Sequence, residues 1–188
     1  MVSSPGERLQ RAITLRQLRD LVSFINRCAD KDGYLPGWID REGKTCHRDS
    51  INLYDVVKYV VNPATAEEKC SYVELVAPAC TTAQTPRWFV SHWWGEPVKD
   101  FLACLERHSR DRGLGSDVKY WVCAYANNQW KLSADVTRDP GDSAFRLAMG
   151  RAVGTISVID EKAMCLQRIW CDYEIYVSLT IKEEKAAL

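Results

Sequence analysis

Glu174 stands four residues after Trp170, a spacing that places both on one face of a helix, a single turn apart. A carboxylate beside an aromatic plate is partly desolvated and suited to hold a cation or a sugar hydroxyl. The same spacing also fits a surface glutamate near a helix start, stabilised by the macrodipole, with Trp170 in the core. Ser91 and His92 are the next chemically capable pair. Neighbouring strand residues point to opposite faces, and no Gly-x-Ser-x-Gly elbow is present, so they make a poor nucleophile and base. His92 reads instead as a hydrogen-bonding group near a pocket or as a satisfied strand-end histidine. Trp93 and Trp94 also face opposite ways, which makes one of them core and leaves the other for a surface or pocket wall.

Two Cys/His clusters, Cys46-His47 and the i,i+4 pair Cys104 and His108, offer fewer ligands than the four that structural zinc needs. The default reading of the helical pair is a core thiol and an exposed histidine, and no metal is expected. Asn127, Asn128, Gln129 and Trp130 form a polar stretch that reads as a solvated loop, or as a loop touching a ligand.

The elements that must position these residues follow from periodicity. Leu15, Leu18, Val22 and Ile25 predict a helix over Glu7–Ala29, stopped by Asp32-Gly33. Tyr34–Arg48 reads as loop or short hairpin. Ser50 is the expected N-cap of a helix over Ile51–Val61, closed by Asn62-Pro63. Thr65 with Glu68 has capping-box spacing and predicts a third helix through Leu75, although Tyr72–Val76 alternates like a strand. Beyond a polar linker at Thr81–Pro86 the order becomes regular. Strands are expected at Arg87–Ser91, Lys119–Ala124 and Thr155–Asp160, with helices from Pro97 to Gly113, over Ser143–Ala152 and from Ile169 to Lys185. Asn127–Asp142 is expected as loop. Alternating strands and helices imply a small parallel sheet flanked by helices, with ligands bound outside the carboxyl ends of its strands. The fold class is therefore α/β, with residues 1–86 a mainly helical extension and 87–188 the α/β domain. Ser91–Glu96 and Trp170–Glu174 belong at one sheet edge.

Bulk composition limits the function classes. In 188 residues, 46% hydrophobic, Lys plus Arg equals Asp plus Glu at 25 each, which argues against a partner recognised by phosphate neutralisation. The basic run Arg107–Arg112 is broken by Asp111 and reads as a solvated helix end. No apolar run approaches membrane-span length, and the N-terminus lacks a secretory apolar core. Eight cysteines without a Cys-x-x-Cys pair suit reduced thiols, several of them in the core as at Cys104 and Cys123, and a cytoplasmic location. The solvated end Lys182–Lys185 fits a piece of a longer protein.

Phe89-Val90-Ser91-His92 before a helix, and Trp170-Cys171-Asp172-Tyr173-Glu174 opening the last one, resemble the first strand and the Trp-Cys-x-x-Glu signature of TIR-like domains of the TIR/SEFIR type. Ser143–Asp160 is similar to the helix and strand upstream of that signature, so the resemblance spans roughly residues 87–180. It implies a flavodoxin-like α/β fold and, for the enzymatic members, cleavage of the nicotinamide–ribose bond of NAD as substrate, with no cofactor. Glu174 matches the required glutamate and Trp170 the aromatic before it. Ser91, His92, Trp93 and Trp94 would line the substrate. Gly95 and the following helix N-terminus are the expected phosphate contact. The chain departs from the pattern at Arg168, where many members carry serine, and at the double tryptophan. Two other readings accompany this one: a non-catalytic signalling module that self-associates through TIR-like surfaces, and a nucleoside deoxyribosyltransferase-like enzyme.

Overall fold

The computed structural model describes residues 11–77, 84–132 and 143–186, the last five by their backbone alone. In chain order the elements are β1 (Ile13–Thr14), α1 (Leu15–Cys28), β2 (Tyr34–Ile39), β3 (Thr45–His47), α2 (Leu53–Val56), a π-helical turn (Val57–Val61) and α3 (Asn62–Ala64). Then follow α4 (Tyr72–Val76), β4 (Trp88–Ser91), α5 (Val98–Asp111), β5 (Lys119–Trp121), α6 (Cys123–Ala126), α7 (Ala144–Arg151), β6 (Gly154–Ser157), a 3₁₀ turn (Met164–Gln167) and α8 (Ile169–Ala186). They form two compact units, each assembled from separated segments. The first takes 1–13, 65–93 and 119–188; the second takes 14–64 and 94–118. The expected division at residue 86 falls inside the first unit.

In the first unit, β4 pairs in parallel with both β5 and β6, in a four-stranded sheet of order β1-β5-β4-β6 flanked by helices. Ile13 carries the unit into β1, beyond β5. Trp88-Phe89-Val90 has no alternation because a central parallel strand is covered on both faces, and all four β4 residues are buried. One face holds Phe89 stacked on Trp121 at 5.0 Å, with Phe145 edge-on to Trp121 at 5.1 Å. Ala148, Met149 and Ala152 of α7 and Val177 and Ile181 of α8 complete that core. Gly154 admits Trp88: a Cβ there would lie 2.9 Å from the indole.

In the second unit, Thr14 and Gln17 close a reciprocal capping box on α1, which buries Leu15, Leu18, Leu21 and Ile25. The helix starts here rather than at Glu7, since Thr14 satisfies its first free amides; residues 1–10 lie outside the described residues. Tyr34–Arg48 contains the antiparallel hairpin β2–β3. Gly33, at φ +91°, is obligatory, because a Cβ would lie 2.3 Å from His47 Nε2. Asn52 with Asp55, not Ser50, caps α2. Nor does Asn62-Pro63 stop the helical run. Asn62 N–H reaches Val57 O, the i→i+5 bond of a π turn, and that wider turn accommodates a proline lacking N–H.

Three further expectations are corrected. The Thr65–Glu68 capping box is replaced by one at Ser71 and Glu74, which opens α4 at Tyr72. The strand expected over Lys119–Ala124 ends at Trp121 and turns at once into α6. The Cys104 thiol, expected in the core, is exposed because the buried stripe of α5 runs through Val98, Phe101, Leu105 and Ser109. No described helix is long and apolar enough to cross a membrane.

Candidate functional site

Side-chain alternation from the core face of β4 sets the site. Phe89 points into the α7–α8 core, so Ser91, two residues on, points the same way at the strand's carboxyl end. On α8 the buried stripe is Cys171, Glu174, Val177 and Ile181, so a carboxylate occupies a position at which the pattern calls for an apolar side chain. Glu174 is 7% exposed, and the Ser91 hydroxyl donates a hydrogen bond to it. Burial pushes its pKa from 4.5 up to about 7, and the Ser91 bond holds it back. Cys171, beside the same hydroxyl, is pushed up to about 11 by burial and then by the Glu174 charge, so it is a thiol at neutral pH. Its Sγ donates to the His92 carbonyl at 3.7 Å.

His92 turns the other way. Its Nε2 lies 3.9 Å from Cys123 Sγ, and burial drives its pKa from 6.5 down to about 4, against a hydrogen bond with the Trp93 backbone. It is therefore a neutral imidazole. Ser91 on α8 and His92 on Cys123 form no nucleophile–base pair, as strand alternation requires.

The topology places this corner at a switch point. From β4 the chain goes on to β5 on one side, then crosses to β6 on the other, so the strand order reverses between β4 and β6. Ser91 pairs with Ser157 at the carboxyl ends of those two strands. That is the crevice where open α/β sheets take ligands.

Comparison with protein-family models, curated proteins and solved structures finds no match to this chain.

The remaining expected site residues separate. Trp170 stands one turn before Glu174 at the head of α8, where it is 56% exposed and makes an edge contact with Tyr173; the buried part of that face begins at Cys171. Trp93 is half-buried and follows His92 in the first unit. Trp94 belongs to the second unit, where its ring lies 5.4 Å from that of Tyr54. The expected phosphate contact at the start of α5 is committed elsewhere, since Val98 N–H donates to Ile51 O at 2.9 Å. Asn127–Trp130 is not a solvated loop. Asn128 Nδ2 donates to Lys69 O at 2.7 Å, Trp130 Nε1 donates to Thr65 Oγ1 at 3.0 Å, and the Lys69 ammonium sits 3.4 Å over the Trp130 ring. These bonds fasten Lys69, whose backbone is left-handed at φ 50°.

Sequence reasoning missed Cys171 and Cys123 as the neighbours of His92. The Cys171 signal lay in the core stripe, which an i,i+3 count from Glu174 would have found. Among the described residues no group of three or more His, Cys, Asp or Glu converges as a metal site.

Proposed function

We propose that the unit carrying Glu174 is a TIR-like NAD glycohydrolase or cyclase, with Glu174 as the carboxylate facing the ribose. The observation that carries this reading is the placement of Glu174: a buried carboxylate, held by one serine hydroxyl, at the reversal point of a parallel sheet. Raising its pKa to about 7 costs the fold on the order of 3 kcal/mol at alkaline pH. Cost of that kind concentrates where chemistry needs it.

The chemistry is a heterolytic break of the C–N bond between ribose C1 and the pyridinium nitrogen. The electron pair stays on nitrogen, neutral nicotinamide leaves, and positive charge develops on the ribose. The Glu174 carboxylate stabilises that charge, strongly because its surroundings are dry. Water then attacks C1 and loses a proton, giving ADP-ribose; attack by the adenine ring gives the cyclic product. The cation of the substrate favours ionised Glu174 on binding. Ser91 holds the carboxylate, and His92, neutral, offers hydrogen bonding without competing positive charge. Trp170, exposed at the head of α8, and Trp93 are available to cover the nicotinamide. The free thiols of the described residues suit a reducing compartment such as the cytoplasm.

Incubation of the chain with NAD is expected to release nicotinamide, with kcat/KM rising between about pH 6 and 8 as Glu174 ionises. Absence of release, or release undiminished in Glu174→Ala, sinks the enzyme. Turnover of deoxynucleosides in place of NAD supports the transferase reading.

One observation favours the non-catalytic alternative, a self-associating signalling module. The outer side of α8 exposes Ile169, Tyr176 and Leu179 together, an apolar surface of the kind that marks interaction sites. On that reading the chain sediments as an oligomer that Tyr176→Lys disperses, and NAD is not consumed.

A further inference from the structure

The second unit holds an open cavity of about 330 Å³ between the β2–β3 hairpin and the α2 segment, within the ~300–1,000 Å³ range of small-molecule sites. Nothing in the Glu174 chemistry uses it. We propose that this cavity binds a nucleoside monophosphate with an amino-substituted base.

Three kinds of group meet there. Tyr54 and Trp94, with centroids 5.4 Å apart and planes at 55°, make an aromatic corner for a flat ring. Asn62 and Asp55 supply acceptors. Asn62 Oδ1 is buried and has no partner among the described residues. Asp55, 5% exposed, gives Oδ2 to the Asn52 N–H at 3.1 Å and keeps acceptor capacity on its other oxygen. The Asn62 Oδ1 and the second Asp55 oxygen are acceptors, so an occupant that satisfies them brings N–H donors. The third kind is cationic. Arg41, on the exposed hairpin turn, lies with its guanidinium 3.7 Å over the Tyr54 ring, which fixes the direction of its N–H fork. Lys58 Nζ donates to Ile39 O at 2.9 Å, and it lines the same cavity as Arg41, so a phosphate there has two cationic side chains to meet. Asp40, the other acid of the lining, has Oδ1 engaged by the turn amides of Glu42 and Lys44, at 3.0 and 2.8 Å.

A flat ring, an exocyclic amine and an oxyanion on one scaffold describe an aminopurine or aminopyrimidine nucleotide. A base with a carbonyl in place of the amine would set acceptor against acceptor, and a site with unpaired polar groups discriminates strongly against such an analogue.

The test is calorimetric titration of the chain with adenosine 5′-monophosphate, inosine 5′-monophosphate and adenosine. The adenine nucleotide is expected to bind saturably, and the inosine nucleotide, which differs at the amine, at least about tenfold more weakly. Arg41→Ala, on the surface and without a folding role, is expected to weaken the monophosphate about tenfold while leaving adenosine unchanged. Asn62→Leu is expected to erase the adenine–inosine difference. Glu174→Ala is expected to bind as the parent does, so failure of the NAD reading leaves this one standing. No saturable binding at millimolar nucleotide, equal affinity for the two bases, or loss in Glu174→Ala with Arg41→Ala unaffected would each overturn the proposal.

Discussion

Glu174 in the first unit and Asp55 in the second are buried to nearly the same degree, 7% and 5% exposed, yet they do opposite things for the fold. Asp55 is the third residue of a capping box and accepts the Asn52 N–H, while Asn52 accepts from Tyr54 and Asp55. Its burial is repaid locally by bonds that α2 would otherwise lack. Glu174 sits mid-stripe on α8, where the helix satisfies its own backbone, and has one hydroxyl for a partner. Burial alone therefore does not tell a structural carboxylate from a chemical one. The partners do.

The sharpest way to break this comparison is activity. Glu174→Ala is expected to lower nicotinamide release about a thousandfold, whereas Asp55→Ala stays within about threefold of the parent once folded. Equal losses would show that neither acid is chemical.

Stability against pH comes next. The Glu174 pKa is raised on folding, so the folded state holds the proton more tightly. Its penalty is absent below about pH 4.5 and complete above about pH 7. Glu174→Gln is expected to gain on the order of 3 kcal/mol over the parent at pH 8 and nothing at pH 4. His92, with its pKa lowered to about 4, acts in the other sense: its contribution is present above about pH 6.5 and lost as pH falls toward 4. It does so in both proteins and cancels from their difference. Urea unfolding of the pair at the two pH values provides the measurement, and a difference independent of pH would remove the strained-carboxylate argument.

Asp55→Ala should move stability the opposite way, losing about 1–2 kcal/mol at pH 7 through the open cap and the unsatisfied Asn52 amide. A smaller effect, about 0.5 kcal/mol, is expected for Arg41→Ala, since an exposed cation–π contact contributes little. Equilibrium denaturation reads both, and a larger loss for Arg41→Ala would make the hairpin turn structural.

The regular half of the chain was legible because its signals are local. The order of β4, α5, β5, α7, β6 and α8 follows from apolar runs and turn residues, and the parallel pairing of β4 with β5 and β6 follows from that order. Capping was misassigned where two candidates competed, Ser50 with Asn52 and Thr65 with Ser71; Asn52, Thr65 and Ser71 each precede an acid by three residues, and Ser50 precedes Asp55 by five. Only the backbone turn decides which side chain faces a free amide. The segments carrying Ser91 and Glu174 were expected at one sheet edge, whereas the exposure of Trp170 was not legible, because i,i+4 spacing gives the face of a helix but not how far along it the packing extends. The cavity beside Arg41 had no sequence signal. Its walls come from residues 39–62 and from Trp94, and their convergence depends on the hairpin and the π turn.

The interleaving of the units has a consequence for how the chain is made. Residues 14–64 and 94–118 are all synthesised by position 118, while the unit with Glu174 must wait for its closing helix near the C-terminus. On the ribosome the hairpin-bearing unit can mature first, with 65–93 looped out of it as an unfinished insert whose β4 still lacks both neighbours. Nascent chains stalled far enough beyond residue 118 for α5 to have left the exit tunnel, but before α8 is made, should then already protect α1 and α5 from protease and leave Trp88–Ser91 open to cleavage.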